Sequence, residues 1–349
     1  MKILHASLTR EFAGSEMYCA SLARGQAGQG DDVRVVVRAT AFVPRWKKET
    51  GKALTVVLPT WLPTFLESWA IGRIIKGFGP DVVHTHLGRA DVKAGRAARK
   101  RNVPWVTTVH LRWKPEMARA AAALCIAGWQ RKEILHTGYN GVLRTVWNWL
   151  PQQNPASTQQ VEALRASWQA GPTTMVFGSV GRLHGQKGMD ILIQAFLAAY
   201  PEPETDVRLI LVGEGIDRAK LQNLIGPERR IILAGYQPET APYYEAFDAY
   251  VSASRYEPFG LTILEAMSHG CQLVCTRTEG PSEFLAEASS KGQVIWAERG
   301  NTQSLAAALN MAQVQGRGHI TYNLQPFSLS RALKEVGEVY EQVAPASNP

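Results

Sequence analysis

Short hydrophobic runs rich in β-branched residues alternate with longer amphipathic stretches along most of the chain. This alternation is typical of a parallel sheet covered by helices on both faces. In the first half of the chain, strands are predicted over residues 2–7, 33–38, 54–58, 82–84, 105–109, 124–127 and 142–147. Helices are predicted between them over residues 15–25, 66–78, 90–101 and 131–137.

A polar, proline-bearing stretch at residues 151–158 interrupts this alternation and has the composition of a linker. A second series then begins, with predicted strands over residues 174–178, 207–213, 231–234, 249–252 and 273–275 and with helices notably over 189–199 and 261–269. We therefore predict an α/β protein with two doubly wound, Rossmann-like domains that face a cleft. The predicted domains span residues 1–155 and 170–325, and a C-terminal helix over 328–345 is expected to pack back on the first.

Charge is distributed unevenly along the 349 residues, whose net charge is +8. Residues 1–150 carry 23 Lys and Arg against 10 Asp and Glu, a net of +13, and the remainder carries −5. One basic cluster is formed by Lys93, Arg96, Arg99, Lys100 and Arg101, followed by Arg112, Lys114 and Arg119. Such a surface attracts anionic partners, such as an acidic membrane or a phosphorylated glycolipid. Nucleic acid is not expected, because no recognisable motif or aromatic-interleaved basic stripe is present.

The N-terminus reads directly as a strand without signal-peptide architecture, and no apolar run reaches the length of a membrane span. The four cysteines lack metal-ligand spacing partners and are expected to be reduced, buried thiols. These features predict a cytoplasmic protein. The basic first half extends that expectation to peripheral contact with the inner face of the plasma membrane.

Two glutamates eight positions apart, Glu257 and Glu265, are the most informative feature of the second half. Pro258 and Gly260 between them force a loop, and a helix is predicted from Leu261. The free N–H groups and positive dipole end of that helix favour an anion. Two carboxylates that can accept sugar hydroxyls beside a phosphate-binding helix end indicate a nucleotide-sugar site.

A glycine-rich loop at residues 178–188 follows a predicted strand and carries two cations, Arg182 and Lys187. Ligands of open α/β sheets bind outside the carboxyl ends of strands, where both side chains are expected. Cations neutralise a diphosphate, and glycines let the backbone approach it. Turns at Gly213 and at Gly235-Tyr236 end the next two strands, and a base could stack on the tyrosine.

The chain resembles the retaining GT-B glycosyltransferases of glycosyltransferase family 4 over roughly residues 175–290. The resemblance rests on the order of these motifs along the chain: the loop with Arg182 and Lys187 comes first, the turns at Gly213 and Gly235-Tyr236 follow, and the Glu257–Glu265 segment comes last. In the first half, Ala13-Gly14-Ser15-Glu16 looks like the family's glycine-rich loop, with alanine in place of its first glycine. Val109-His110 resembles the family strand that ends in a histidine facing the donor sugar across the cleft. The resemblance implies an acceptor-side first domain and a donor-binding second domain.

The resemblance also implies a role for each matched residue. Arg182 and Lys187 would hold the donor diphosphate, Glu257 the transferred sugar and Glu265 the ribose. The main chain near Phe259, Gly260 and Leu261 would cap the distal phosphate. Predicted donor contacts elsewhere are Gly14, Gly213, Gly235 and Tyr236, and His110 is placed with Glu257, Arg182 and Lys187 in the catalytic group.

The predicted chemistry is metal-independent transfer from a nucleotide-diphosphate sugar, expected to be a UDP-sugar, to an anionic glycolipid or oligosaccharide such as lipopolysaccharide core. No Asp-x-Asp sequence occurs that could clamp a metal on the diphosphate, and no cofactor besides the donor substrate is expected. The alternatives are a nucleotide-sugar epimerase, a sugar phosphorylase, and a non-catalytic donor-binding partner of an active transferase. No nucleophile is assigned.

Two further groups of residues have open interpretations. His84 and His86 could form a metal pair, but without a third ligand they are expected to be a strand end that lines the cleft. Trp61, Phe65 and Trp69 form either an apolar patch for lipid or one face of a helix packed on the sheet.

Overall fold

A computed structural model of the protein describes residues 1–51, 54–152 and 154–344, and these residues form two compact units. Unit 1 comprises Met1–Trp149 together with the segment that begins at Pro326, and unit 2 comprises Leu150–Gln325. Residues 150–152, 154 and 155, which the sequence pattern assigns to the first domain, therefore lie in unit 2. Among the residues that the structure describes, none of the helices combines the length and the apolar composition that a membrane span requires.

Unit 1 is built on a seven-stranded parallel sheet. Its strands are β1 (Lys2–Ser7), β2 (Asp32–Arg38), β3 (Thr55–Leu58), β4 (Val82–His86), β5 (Trp105–Val109), β6 (Ala122–Cys125) and β7 (Val142–Thr145). They are arranged in the order β3-β2-β1-β4-β5-β6-β7, and every neighbouring pair is parallel. The chain moves outward from β1 to β3 and then returns to the other side of β1, which creates a switch point between β1 and β4.

Unit 2 repeats this design with six parallel strands. They are β8 (Met175–Val180), β9 (Val207–Val212), β10 (Ile231–Gly235), β11 (Ala249–Ser252), β12 (Gln272–Thr276) and β13 (Val294–Ala297). Their order is β10-β9-β8-β11-β12-β13, so the equivalent switch point lies between β8 and β11. The prediction of two doubly wound α/β domains is confirmed, although the sequence pattern missed β13.

Helices cover the two sheets. They are α1 (Gly14–Gly28), α2 (Val43–Thr50), α3 (Glu67–Phe78), α4 (Gly88–Ala90), α5 (Arg96–Arg99), α6 (Gly128–Leu135), α7 (Thr158–Ser167), α8 (Met189–Ala199), α9 (Arg218–Ile225), α10 (Ala241–Ala246), α11 (Leu261–Ser268), α12 (Glu279–Phe284), α13 (Ala286–Ser290), α14 (Thr302–Gln315) and α15 (Leu329–Val343). Short 3-10 turns lie at Thr64–Leu66, Pro115–Arg119, Gly185–Lys187 and Gln325–Phe327.

The helix predicted over residues 90–101 is not regular. A π-helical turn at Asp91–Gly95 separates α4 from α5. The buried Asp91 carboxylate accepts hydrogen bonds from the hydroxyls of Thr85 and Thr107 at 2.5 and 2.7 Å. These bonds anchor the wider turn to two strands, a tertiary effect that hydrophobic spacing does not report.

The last helix, α15, packs within unit 1. It has a strongly amphipathic sequence, and Ala332, Val336, Val339 and Tyr340 on its apolar side are buried. The Tyr340 hydroxyl lies 2.6 Å from Nδ1 of His84 on β4. Unit 1 is therefore completed by a helix that follows unit 2 in the chain.

Candidate active site

Three of the predicted residues of unit 2 lie on segments that follow β8 and β11, the two strands at the switch point. Lys187 lies in the connection after β8, Glu257 lies in the connection after β11, and Glu265 lies on α11. Open parallel sheets bind ligands outside the carboxyl ends of strands at such a point. The fold therefore brings residues from separate parts of the sequence to the same end of the sheet.

Lys187 and Glu257 form an ion pair, with Lys187 Nζ 2.5 Å from Glu257 Oε2. Glu257 is only 7% exposed. The hydroxyl of Ser254 lies 3.5 Å from the same carboxylate oxygen. A buried carboxylate is costly unless a cation compensates it. The lysine predicted to hold the diphosphate thus also neutralises the glutamate predicted to hold the sugar.

Glycines bring the loops of this site into close contact. At Gly213, φ is +139°, and a Cβ would lie 1.9 Å from the carbonyl oxygen of Gly181. At Gly188, φ is +65°, and a Cβ would lie 2.0 Å from the carbonyl oxygen of Ala253. Only glycine tolerates these approaches without strain. Gly213 therefore has a packing function beside its predicted donor contact, and Arg182 is presented, exposed, from the loop that Gly213 supports.

An Arg255–Asp190 pair, which the sequence analysis missed, braces the turn that carries Lys187. The Arg255 guanidinium donates to both carboxylate oxygens of Asp190, at 2.8 and 3.1 Å, and to the carbonyl oxygen of Gly185 at 2.7 Å. A two-point guanidinium–carboxylate contact restricts orientation as well as distance. The residues lie 65 positions apart, and no local spacing indicated the pair.

Helix α11 begins after Gly260, whose φ of +115° sets the turn into the helix. Leu261 is the first helical residue, and Glu265 lies one turn further on. The Tyr244 hydroxyl donates to Glu265 Oε2 at 2.7 Å. Burial raises the pKa of the Glu265 carboxyl to about 7, and the hydrogen bond from Tyr244 opposes this rise. The protonation of Glu265 therefore changes near neutral pH.

The remaining predicted residues of unit 2 differ in accessibility. Gly235 ends β10 with a φ of +73°, and the following Tyr236 is 57% exposed. By contrast, the ring of Phe259 is buried and stacks on Phe284 with 4.8 Å between centroids. A donor contact by Phe259 would therefore come from its main chain, whereas Tyr236 presents its ring to solvent.

In unit 1, the Gly14 loop follows β1 and opens α1. The buried Glu16 carboxylate accepts hydrogen bonds from the Ala13 amide and the Ser15 hydroxyl, both at 2.9 Å. A carboxylate at this position also favours the helix N-terminus electrostatically. Glu16 thus stabilises the turn, and Gly14 remains exposed.

His110 follows β5 and is almost completely buried. The ring of Tyr18 meets the His110 ring edge-on with 4.9 Å between centroids. His110 Nε2 lies 3.2 Å from His86 Nδ1. Burial lowers the pKa of His110 to about 3. The imidazole is therefore neutral at physiological pH.

His86 belongs to a buried polar cluster that also contains His5 and His84. These side chains come from the adjacent strands β1 and β4, where His5 is paired in register with His84. The potential ligand atoms of His5, Cys19 and His86 lie within 4.8 Å of one another. Each ring nitrogen of His5 and His86 already has a hydrogen-bond partner, however. A metal would have to replace those bonds, so the arrangement fits a hydrogen-bonded cluster better. No local sequence pattern indicates that His5 belongs to this cluster.

A cavity of about 500 Å³ in unit 1 is lined by Thr64, Gly88, Arg89, Val92, Lys93, Lys114 and Glu116. Beside Thr64, the side chains of Trp61, Phe65 and Trp69 are 78%, 77% and 58% exposed. We call these three residues the aromatic ridge. They project into solvent, so a helix face packed on the sheet does not explain them.

Both units match family models of glycosyltransferases. Residues 174–312 match the family model described as glycosyl transferases group 1, and residues 12–153 match that of Glycosyltransferase Family 4. The chain is 25% identical to the lipopolysaccharide core biosynthesis glycosyltransferase LpsD of Rhizobium meliloti, covering 88% of this chain and 87% of that protein. It is 32% identical to LpsE of the same organism over 48% of this chain and 51% of that protein.

Among solved structures, the chain resembles HepE of Anabaena in complex with UDP and glucose. The TM-score is 0.81 at 20% identity, covering 98% of this chain and all of that one. The lipopolysaccharide outer core galactosyltransferase WaaB is also similar, with a TM-score of 0.69 at 18% identity over 98% of this chain and 99% of that one. At this identity the two likenesses establish the fold.

Proposed function

Because the chain belongs to the GT4-like glycosyltransferases of GT-B fold, we propose that it is a retaining, metal-independent enzyme that uses a UDP-sugar. The proposed acceptor is an anionic envelope glycoconjugate such as lipopolysaccharide core. The observation that carries the proposal is the grouping of Lys187, Glu257 and Glu265 around the start of α11, at the switch point of unit 2. The names of LpsD and LpsE support the acceptor class, and the UDP complexes of HepE support the nucleotide.

In the proposed complex, the diphosphate lies between Lys187, Arg182 and the main-chain amides of Gly260 and Leu261. Helix N-termini favour anions because their N–H groups and dipole both point towards the ligand. Glu265 accepts the ribose hydroxyls, and Tyr236 offers an exposed ring to the base. Glu257 accepts hydroxyls of the transferred sugar while its charge remains compensated by Lys187.

Breaking the bond between sugar and diphosphate develops negative charge on the leaving group and positive charge on the sugar ring. Preorganised cations and amides stabilise the leaving group, and such electrostatic stabilisation is usually the largest catalytic contribution. A carboxylate and a neutral imidazole suit the developing positive charge better than an imidazolium, which would repel it. Glu257 and His110 are therefore proposed to position and stabilise the sugar. No covalent nucleophile is assigned, and an oxygen of the leaving phosphate is proposed to take the acceptor proton.

The acceptor is proposed to bind unit 1, and its phosphate groups would occupy the cationic cavity. Arg89, Lys93 and Lys114 supply three cations there against one carboxylate, Glu116. Arg89 also contacts the carboxylate of Glu67 at 2.8 Å, but Arg38 compensates the same carboxylate at 2.5 Å. Positive charge therefore remains in excess around the cavity. Guanidinium and ammonium groups are the side chains that bind phosphate most strongly.

A panel of UDP-, GDP- and ADP-sugars, with and without envelope glycolipid extract, tests the function. We expect acceptor-dependent release of UDP that persists in EDTA, and a product with the anomeric configuration of the donor. An inverted anomer or a requirement for a divalent cation would contradict the corresponding part of the proposal. Sugar inversion without nucleotide release would indicate an epimerase, and phosphate-dependent disaccharide cleavage a phosphorylase. Normal pathway function in cells after Glu257→Ala would indicate a non-catalytic partner.

We further propose that the protein works in the cytoplasm, attached to the inner face of the plasma membrane through the aromatic ridge. Aromatic side chains are favourable at the membrane interface, and cations attract acidic lipid headgroups. The Arg73 guanidinium lies 5.3 Å from the centroid of the Trp69 ring, which places a cation at the ridge itself. Four free, buried cysteines support a reducing compartment.

Replacing the ridge in the variant Trp61→Ser/Phe65→Ser/Trp69→Ser is expected to weaken binding to vesicles containing phosphatidylglycerol by about tenfold or more. Vesicle flotation measures this effect. The matched control is Met311→Ser/Val314→Ser, which removes two exposed apolar side chains from α14 in unit 2 and should leave vesicle binding unchanged. Equal flotation of the ridge variant and the wild-type protein would refute the membrane proposal.

A further inference from the structure

A continuous line of buried side chains connects His110 to helix α1. His110 Nε2 lies 3.2 Å from His86 Nδ1, and His86 Nε2 lies 3.1 Å from His5 Nδ1. His5 Nε2 in turn lies 2.7 Å from Oε1 of Gln26. His5 and His86 are fully buried, Gln26 is 3% exposed, and no nitrogen in this line is used twice. We call these four residues the histidine line.

Each ring in the histidine line is neutral at physiological pH. Burial lowers the pKa of His5 to about 4 and that of His110 to about 3, and it holds the pKa of His86 well below the ordinary value. A neutral imidazole has one N–H and one lone pair, so it donates at one nitrogen and accepts at the other. All contacts in the line must therefore run in the same direction, and the end of the line determines the proton position in every ring.

That end is the Gln26 side chain, which has a second partner. Its Nε2 lies 3.3 Å from the Tyr340 hydroxyl, which lies 2.6 Å from Nδ1 of His84, and Nε2 of His84 lies 2.7 Å from the Thr108 hydroxyl. With this amide orientation, Gln26 Oε1 accepts from His5 Nε2–H. Each following ring then donates towards Gln26, and His110 carries its proton on Nε2. Rotating the Gln26 amide by half a turn would reverse every proton.

We propose that His86, His5 and Gln26 are positioning residues for His110, and that they hold it as the neutral tautomer protonated at Nε2. The Nδ1 lone pair is then the group that His110 offers to a hydroxyl of the bound sugar. This role rests on the proposed transferase function. A hydrogen-bond acceptor that is held in place and carries no positive charge suits a sugar ring that becomes positively charged in the transition state.

Gln26→Glu is the most direct test, because it keeps the shape of the side chain and changes only its charge and hydrogen bonding. A carboxylate at this place draws a proton onto His5, which then donates from both nitrogens. His86 and His110 must reverse, so the His110 proton moves to Nδ1. Long-range ¹H–¹⁵N correlation spectra of histidine-labelled, ligand-free protein distinguish the two tautomers, and His110→Asn identifies the His110 signals.

We expect the Nε2–H tautomer of His110 in the wild-type protein between pH 6 and 8, and the Nδ1–H tautomer in Gln26→Glu. The kcat of that variant should fall by about tenfold or more, whereas its affinity for UDP, which unit 2 is proposed to bind, should remain unchanged. Tyr340→Phe provides a second variant that keeps the ring. It removes the partner of the Gln26 amide nitrogen and should produce a mixture of both tautomers. His136→Gln, an exposed change at the end of α6, is the matched control: only the His136 signals should disappear, and the His110 signals and the rate should not change.

An Nδ1–H tautomer in the wild-type protein would overturn the proposal, as would an unchanged His110 tautomer in both folded variants. A reversed tautomer with unchanged kcat would refute the positioning role. Stoichiometric zinc or copper in the purified protein that is lost in Cys19→Ser would also refute it, because a metal would occupy lone pairs that the line requires. The spectra do not need turnover, so a failure of the transferase assay would leave this test intact.

Discussion

Lys187→Met is expected to lower kcat/KM for the donor by about 10²–10³-fold, the effect of removing one preorganised group that stabilises developing charge. The variant loses a cation at the proposed diphosphate and leaves the Glu257 carboxylate buried without its ion-pair partner. The second effect should lower the free energy of unfolding by about 3–5 kcal/mol, the cost of breaking a buried ion pair by removing one partner. Steady-state kinetics and urea denaturation measure the two effects separately.

The double variant Lys187→Met/Glu257→Gln separates stability from catalysis. Neutralising position 257 removes the unpaired charge, so stability should largely return while activity remains low. The matched control is Lys220→Met, which changes a more exposed lysine of unit 2 lying 3.4 Å from Asp190. Its kinetics should resemble those of the wild-type protein. If Lys187→Met retains full activity, the proposed diphosphate site is wrong.

UDP should bind more tightly as the pH rises from about 6 to about 8, and Glu265→Gln should abolish most of this dependence. The pKa of Glu265 in the ligand-free protein is raised to about 7. The ionised carboxylate accepts hydrogen bonds from both ribose hydroxyls, whereas the protonated form loses acceptor capacity. Binding therefore favours ionisation, and affinity increases as pH passes through the pKa. We expect a change of about tenfold, measured by isothermal titration calorimetry.

The same titration with Glu265→Gln corrects for ionisation of the UDP phosphate, which contributes equally to both proteins. Glu162→Gln, an exposed change on α7, serves as the control and should follow the wild-type curve. Tyr244→Phe removes a hydrogen bond that lowers the pKa of Glu265. In this variant, the rise in UDP affinity should therefore occur at higher pH. Parallel curves for wild-type and Glu265→Gln proteins would show that this carboxylate does not contact the ribose.

Hydrophobic periodicity predicted the fold class well, because each unit is built from buried strands separated by amphipathic helices. It failed where tertiary contacts decide the local structure. In the π-helical turn at Asp91–Gly95, the buried Asp91 carboxylate is held by hydroxyls of Thr85 and Thr107, which lie on two strands outside the helix, and hydrophobic spacing does not report such bonds. Strand β13, the short Val294–Ala297, was also missed.

The candidate site was predictable only as far as its parts are local motifs. The turn at Gly260 and the spacing of Glu257 and Glu265 can be identified in the sequence. The Lys187–Glu257 ion pair cannot, because it joins residues 70 positions apart. The roles assigned to the site residues, including the exposed Arg182, remain predictions that the variants above test.

The placement of α15 has a consequence for synthesis on the ribosome. Unit 2 can finish its sheet soon after β13 is made, whereas unit 1 still lacks the helix that supplies Tyr340. Until that helix emerges, the Tyr340 hydroxyl that contacts His84 is absent. The apolar surface of unit 1 that α15 will cover is then exposed to water. Unit 1 is thus the first unit to be translated and the last to complete its fold. During that interval, a chaperone would find its binding surface on unit 1.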